Sequence, residues 1–242
     1  MQQTGRDAAI CAATGSGKTL AYLVPALARL SEDLMLDDLS SFLAAFGQGA
    51  GRQRPALKEG DDGRLPTDVP TPALVIVVPT RELGVQVSLL AYRLLGGGVN
   101  NPTLQPFSSP WKHQPGARAN MFTYKGPRHV RVAGLWDEQG LLEENVELLQ
   151  RVHILVGTPE YLARVAEGGK LPLEHVREVI IDEADACEGQ AADAMGALLH
   201  TFGEARAELP PPQTVLAGAS LSYSLVRHAE ELGWVRRPLL VS

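Results

Sequence analysis

Two clusters of residues in this sequence have the types and spacing of phosphate chemistry. The run Ala12-Ala13-Thr14-Gly15-Ser16-Gly17-Lys18-Thr19 orders its glycines, lysine and hydroxyls as a phosphate-binding loop does, with alanine at the first position. Gly15 and Gly17 let the backbone curl so that N–H groups face phosphate oxygens at the positive end of a following helix. Lys18 would reach the β and γ phosphates of ATP as a point charge, and the Thr19 hydroxyl would ligate Mg²⁺. By itself the run could be a glycine-rich turn ahead of a helix. The strand-like Ala8–Ala13 before it and the helix-like Leu20–Leu30 after it favour the nucleotide reading.

The second cluster is Asp182-Glu183-Ala184-Asp185, delivered by the apolar run Val179-Ile180-Ile181. The carboxyl end of a buried strand is where open parallel sheets place their ligands. Asp182 would hold Mg²⁺, directly or through water, and Glu183 would orient and deprotonate the water that attacks the γ-phosphate. Alone, such a tetrad reads as a solvated helix start. Downstream of a phosphate loop, it reads as the catalytic partner of that loop.

These clusters need a scaffold, and the hydrophobic pattern supplies one. Apolar runs at Ala8–Ala13, Ala73–Val78, His153–Val156, Val176–Ile181 and Thr214–Ala217 are each followed by a turn and a helix-like stretch. That alternation predicts an α/β fold, a parallel sheet flanked by helices. The continuous runs Leu74-Val75-Ile76-Val77-Val78 and Val179-Ile180-Ile181 predict strands buried on both faces. Two stretches, about 37–71 and 96–128, are rich in glycine, proline and mixed charge and read as loop insertions on one domain. The second carries Trp111-Lys112-His113, which could stack on bases but reads more simply as folding back onto the domain. Helix-like Leu141–Leu149, with Glu143, Glu144 and Glu147, reads as a solvated face, and the isolated His153 and His200 as core or surface residues.

Composition narrows the function classes. The 242 residues carry a formal net charge of −6, which argues against nucleic-acid binding through a broad basic surface. Cys11 and Cys187 stand far apart without metal-ligand neighbours, so neither a disulfide framework nor a zinc site is expected, and a reducing, intracellular compartment fits. No apolar run approaches the roughly 18 residues of a membrane span, and the start lacks signal-peptide order. No membrane partner is expected.

Taken together, Ala12–Thr19, Pro79-Thr80-Arg81-Glu82-Leu83, Thr158-Pro159 and Asp182-Glu183-Ala184-Asp185 resemble, in order and spacing, the first RecA-like domain of DEAD-box RNA helicases. Gly5-Arg6-Asp7 is similar to the tripeptide that precedes the phosphate loop there. The resemblance implies a RecA-like P-loop NTPase fold spanning residues 1–242, with ATP and Mg²⁺ as cofactors. It also implies an RNA-stimulated ATPase whose two RecA-like domains close on RNA, single-stranded or as a short duplex, and unwind it. By the same resemblance Thr80, Arg81, Glu82, Gly134, Thr158 and Pro159 face RNA, and Gly218, Ala219 and Ser220 couple hydrolysis to domain movement. Backbone N–H groups at helix starts could meet RNA phosphates without a basic patch. Outside this context, Pro79–Leu83 would be a helix start capped by Thr80.

The sequence departs from the family at several points. The family's adenine-reading segment, with its glutamine, has no counterpart ahead of Met1. Thr-Pro-Gly-Arg becomes Thr158-Pro159-Glu160-Tyr161, Ser-Ala-Thr becomes Gly218-Ala219-Ser220, and the double glycine becomes Ala133-Gly134. A second RecA-like domain finds no room before Ser242, so the chain alone is expected to be a poor ATPase. Two rivals remain open at this point: a catalytically weakened scaffold that keeps nucleotide and RNA, and a DNA translocase of the same superfamily.

Overall fold

The computed structural model describes residues 6–30, 72–95, 123–125, 131–136, 152–169, 171, 173–205 and 211–241. In chain order they form β1 (Ala8–Cys11), α1 (18–30), β2 (Leu74–Val77), α2 (Arg81–Leu94), β3 (Thr123–Lys125), β4 (Arg131–Leu135) and β5 (Ile154–Gly157). There follow α3 (Pro159–Glu167), a 3₁₀ turn (Leu173–His175), β6 (Glu178–Ile181), α4 (Ala184–Ala205), β7 (Gln213–Gly218), α5 (Tyr223–Glu231) and β8 (Leu239–Val241). The strands make one eight-stranded sheet in the order β3-β4-β5-β2-β6-β7-β1-β8. Only the β3–β4 pairing is antiparallel. The expected parallel α/β sheet is therefore present.

Alternation along each strand divides the core in two. Val75, Val77, Leu155, Val179, Ile181 and Leu216 pack with residues of α3, α4 and α5 on one face. Ile76, Ile154, Val156, Ile180 and Val215 pack with Tyr22, Leu23 and Leu27 of α1 and Val87 and Ala91 of α2 on the other. Because both faces are covered, β2, β5 and β6 are buried at every residue, which is why they read as apolar runs, broken only by the buried Glu178 at the start of β6. Helix starts obey local rules: Thr80 caps α2 by accepting from the Leu83 N–H at 3.3 Å, and Ser222 caps α5 by accepting from the Leu225 N–H at 3.1 Å. Helix α4 contains a kink, where Ala191 leaves helical geometry at φ −145° and ψ 40°.

The five expected strands are present with ends shifted by one or two residues, and three more were not foreseen. Strand β3 lies inside the stretch 96–128 that the sequence suggested was loop throughout, and it is a correction to that expectation. It escaped notice because a three-residue edge strand stabilised by pairing with β4 leaves no periodic signal. Strand β4 hides behind its glycine and β8 behind its shortness. The rest of both insertions, Trp111-Lys112-His113 and Leu141–Leu149 lie outside the described residues. His153 is buried, whereas His200 is exposed and pairs with Glu204 at 3.6 Å.

Asp7 closes the sheet at its amino end. Its buried carboxylate accepts from the Thr214 N–H (2.8 Å) and the Arg236 N–H (2.6 Å), and its carbonyl accepts from the Leu239 N–H (2.9 Å). One side chain thus ties the start of β1 to β7 and to the segment leading into β8. Asp7→Asn turns an amide N–H toward a backbone donor and should cost about 2 kcal/mol in urea unfolding. An unchanged midpoint would show that the clamp carries no net stability.

Candidate active site

The site is built where the parallel strands end. Cys11 pairs with Gly218, Val77 with both Gly157 and Ile181, and Ile181 with Leu216, so the segments that follow emerge side by side. Sheet order then sorts them. Ends of β6, β7 and β1 bring together Asp182–Asp185, Gly218–Ser220 and Ala12–Thr19, while the adjoining ends of β5 and β2 carry Thr158-Pro159 and Pro79–Glu82.

In the phosphate loop, Gly15 (φ +80°) and Gly17 (φ +91°) occupy the left-handed region, with open space around the position a Cβ would take. A side chain at either would strain the backbone by about 1–2 kcal/mol. The Ser16 N–H donates to the Ala13 carbonyl at 3.1 Å, and helix α1 starts immediately beyond the loop. The Lys18 ammonium donates to the loop's own carbonyls at Ala12 (2.5 Å) and Ala13 (3.0 Å), which holds it across the cradle. The Ala12 N–H donates to the Gly218 carbonyl at 3.3 Å, and the Cys11 thiol lies 3.9 Å from the Ala219 carbonyl. These contacts join the base of the loop to the proposed coupling segment.

Asp182 is buried, and each of its carboxylate oxygens accepts one bond: Oδ2 from the Tyr22 hydroxyl at 2.6 Å, Oδ1 from the Glu183 N–H at 3.0 Å. Burial pushes its pKa above the ordinary aspartate range, and those two donors and the Lys18 ammonium pull it back. Glu183 is exposed but held at φ +46°, a conformation that costs a non-glycine residue on the order of 1 kcal/mol. Partial desolvation at the strand end, then the charges of Asp182 and Asp185, raise its carboxyl above the ordinary glutamate range, which makes it a better proton acceptor. Burial raises the Tyr22 phenol far above its ordinary value, so it stays a donor, and raises the Cys187 thiol likewise, so it stays protonated beside the Asp182 carbonyl.

The donor set fits Mg²⁺. Mg²⁺ binds through one or two oxygen side chains together with substrate phosphates. Thr19 and Asp182 provide a hydroxyl and a carboxylate joined through Tyr22, beside an open glycine cradle at a helix N-terminus. Among the described residues no cluster of three or more His, Cys, Asp or Glu side chains offers an all-protein metal cage.

The remaining predicted residues fall in two groups. Thr80 and Glu82 are exposed and Arg81 is half-buried at the start of α2. Thr158 and Pro159 are buried at the start of α3, and the Thr158 hydroxyl makes no side-chain cap. Beyond them Tyr161 lies under the Arg164 guanidinium, 5.3 Å from ring centroid to Cζ. Gly134 is an interior strand residue: a Cβ there would sit 1.8 Å from the Trp136 indole, which also packs on Gly84 of α2. Gly134→Ala should therefore cost about 2 kcal/mol in chemical unfolding, with partial recovery on adding Trp136→Phe. No recovery would mean that the indole is not the obstacle. At Gly218 a Cβ would meet Leu221 Cδ2 at 2.8 Å and Asp185 Oδ1 at 2.9 Å, so Leu221 fills the space the family gives to a serine. Sequence reasoning missed Tyr22, Trp136 and Leu221, and marked Asp7 only as part of Gly5-Arg6-Asp7. Tyr22 alone left a signal, standing one helical turn after Thr19.

Comparison with known proteins agrees with this geometry. The family described as DEAD/DEAH box helicase matches residues 1–101 and 118–228. "DEAD-box ATP-dependent RNA helicase 47, mitochondrial" of Arabidopsis thaliana is 27% identical over 98% of this chain and 35% of its own length. "Pre-mRNA-splicing ATP-dependent RNA helicase PRP28" of Candida glabrata is 29% identical over 98% of this chain and 31% of its own. The chain thus spans about a third of the relatives it matches. Among solved structures, the yeast DEAD-box splicing factor Prp28 aligns with a TM-score of 0.62 at 22% identity, covering 97% of this chain and 40% of that one. A variant of S. cerevisiae Dbp5 bound to RNA and ADP BeF3 aligns with a TM-score of 0.59 at 15% identity, covering 98% and 41%. With a glycine-rich loop and an acidic tetrad meeting at the carboxyl edge of a parallel α/β sheet of RecA-like fold, and a family match over most of its residues, the chain belongs to the DEAD/DEAH box helicases.

Proposed function

We propose that this chain is the ATP-binding half of an ATP-dependent RNA helicase. The observation that carries the reading is that the ends of β1, β7 and β6 bring the loop of Lys18 beside Asp182 and Glu183, with the ammonium near enough to pull both carboxyls down. The loop N–H groups and Lys18 bind and orient the β and γ phosphates. Thr19 and Asp182 would hold Mg²⁺, which when bound would neutralise charge on the phosphate oxygens. Glu183 orients the attacking water and accepts its proton. Cations that stabilise the transition state come from a second RecA-like domain, so hydrolysis waits for closure.

RNA lies beside this site along the same edge of the sheet. Thr80, Arg81 and Glu82 meet it at the start of α2, and the turn Thr158-Pro159 brings it to the start of α3, where the Thr158 N–H is taken by the Leu135 carbonyl and Pro159 has none, so the N–H groups of the helical turn that follows face the phosphates. Gly134 shapes that surface from beneath, through Trp136. Contact by helix starts reconciles RNA with a net charge of −6. The domain limits 1–242, with insertions near 37–71 and 96–128, belong to the same reading.

The test is ATP hydrolysis by the full-length protein with and without single-stranded RNA. RNA-stimulated turnover supports the helicase reading, and its absence in a protein that binds ATP overturns it. A second reading, a scaffold that keeps nucleotide and RNA but couples them weakly, is favoured by Leu221 and Asp185 closing the space where a side chain at Gly218 would stand. Stimulated hydrolysis without duplex separation would select it.

A further inference from the structure

Tyr22 has no role in the chemistry described so far, yet it stands at its centre. It lies one turn into α1 beyond Thr19 and is fully buried among the apolar residues between α1 and the sheet. Its hydroxyl donates to Asp182 Oδ2 at 2.6 Å across 160 residues of sequence, and the Thr19 side chain, one turn earlier on α1, interacts with the same phenol. With the Glu183 N–H on Oδ1 at 3.0 Å, both oxygens of the Asp182 carboxylate are held in place.

We propose that Tyr22 is a positioning residue that joins Thr19 and Asp182, the two side chains assigned to Mg²⁺, into one hydrogen-bonded unit before nucleotide binds. The inference rests on the nucleotide reading of the site. Packing alone does not account for a tyrosine here, because a phenylalanine would fill the same apolar space without bringing a polar group that must be satisfied. Without the phenol, Asp182 Oδ2 would lose its donor in a site almost closed to water. The carboxylate would then turn to find another, and the Thr19 side chain would lose its contact with the phenol. Both would have to be reoriented as Mg²⁺ arrived. Groups that orient metal ligands typically contribute 10–100-fold to metal affinity.

The experiment titrates Mg²⁺ into the full-length protein in the presence of a fluorescent ATP analogue, comparing wild type with Tyr22→Phe, and follows thermal unfolding of both without metal. The substitution keeps the ring and its packing. It should raise the Mg²⁺ concentration for half-maximal nucleotide binding by roughly 10-fold, while analogue affinity in EDTA stays unchanged. A melting temperature that falls while the Mg²⁺ midpoint does not move would make Tyr22 a purely structural residue and overturn the inference. If the wild type binds the analogue with no dependence on Mg²⁺, Thr19 and Asp182 hold no metal and the inference is overturned, whereas a wild type that does not bind the analogue at all overturns the nucleotide reading itself.

Discussion

Glu183→Gln in the full-length protein should lower RNA-stimulated ATP hydrolysis by roughly 10²–10⁴-fold, the range that a positioned general base contributes, while leaving ATP affinity within about twofold. The amide has the shape of the carboxyl and keeps the backbone where it is. The strained φ of +46° persists, and so does the bond from the residue 183 N–H to Asp182 Oδ1, because that donor belongs to the main chain. Only proton acceptance is lost. The raised pKa of the native carboxyl, caused by partial desolvation and by Asp182 and Asp185, makes Glu183 a better proton acceptor than an ordinary glutamate. Asp182 has both oxygens engaged and is poorly placed to take a proton from water. Measured kcat falling by less than tenfold would remove Glu183 from the role of base.

Lys18→Ala acts at the other end of the same event. Its ammonium donates to the Ala12 and Ala13 carbonyls, bonds that neutral partners can also satisfy through solvent at this exposed loop. Its removal should therefore leave the unfolding midpoint nearly unchanged. Phosphate binding is different, because charge-assisted bonds are worth about 1.5–3 kcal/mol each. Losing one or two of them should weaken ATP binding on the order of 100-fold. Equilibrium titration with a fluorescent ATP analogue reads this directly. Affinity within threefold of wild type would mean that the glycine cradle and helix N-terminus bind the phosphates without the lysine.

The two variants separate functions that one assay would merge. Glu183→Gln should give a protein that binds ATP and RNA but does not turn over, and Lys18→Ala one that does neither in the presence of ordinary ATP concentrations. The contrast matters for choosing between helicase and scaffold. A scaffold held together by nucleotide would tolerate the first change and lose function with the second.

Much of the chemistry was legible before any coordinates, because it is local. A phosphate loop is specified by glycines that must adopt positive φ and by a lysine and a threonine at fixed offsets, all within Ala12–Thr19. The acidic pair announces itself by following an apolar run with no turn between them. Buried parallel strands are legible for the same reason: β2 and the Val179–Ile181 stretch of β6, covered on both faces, are apolar along their length. Even the cap of α2 by Thr80 follows from three consecutive residues.

What only the tertiary structure decided are the contacts whose partners are distant in the chain. Tyr22 reads in isolation as one more apolar-face residue of α1, and becomes part of the site only because β6 brings Asp182 to its hydroxyl. Asp7 reads as the last residue of a tripeptide similar to the family's, with no role of its own, until β7 and the approach to β8 present their N–H groups to it. Gly134 suggested a contact with RNA, and its neighbour Trp136 gives it a packing reason as well. Short edge strands belong to the same class, since β3 and β8 exist through the hydrogen bonds of their neighbours and carry little pattern of their own. Sequence by itself determined which groups could do the chemistry, because residue type and local spacing set reactivity and backbone reach. Folding decided which of them meet, because burial, desolvation and pairing depend on neighbours that one-dimensional order does not specify.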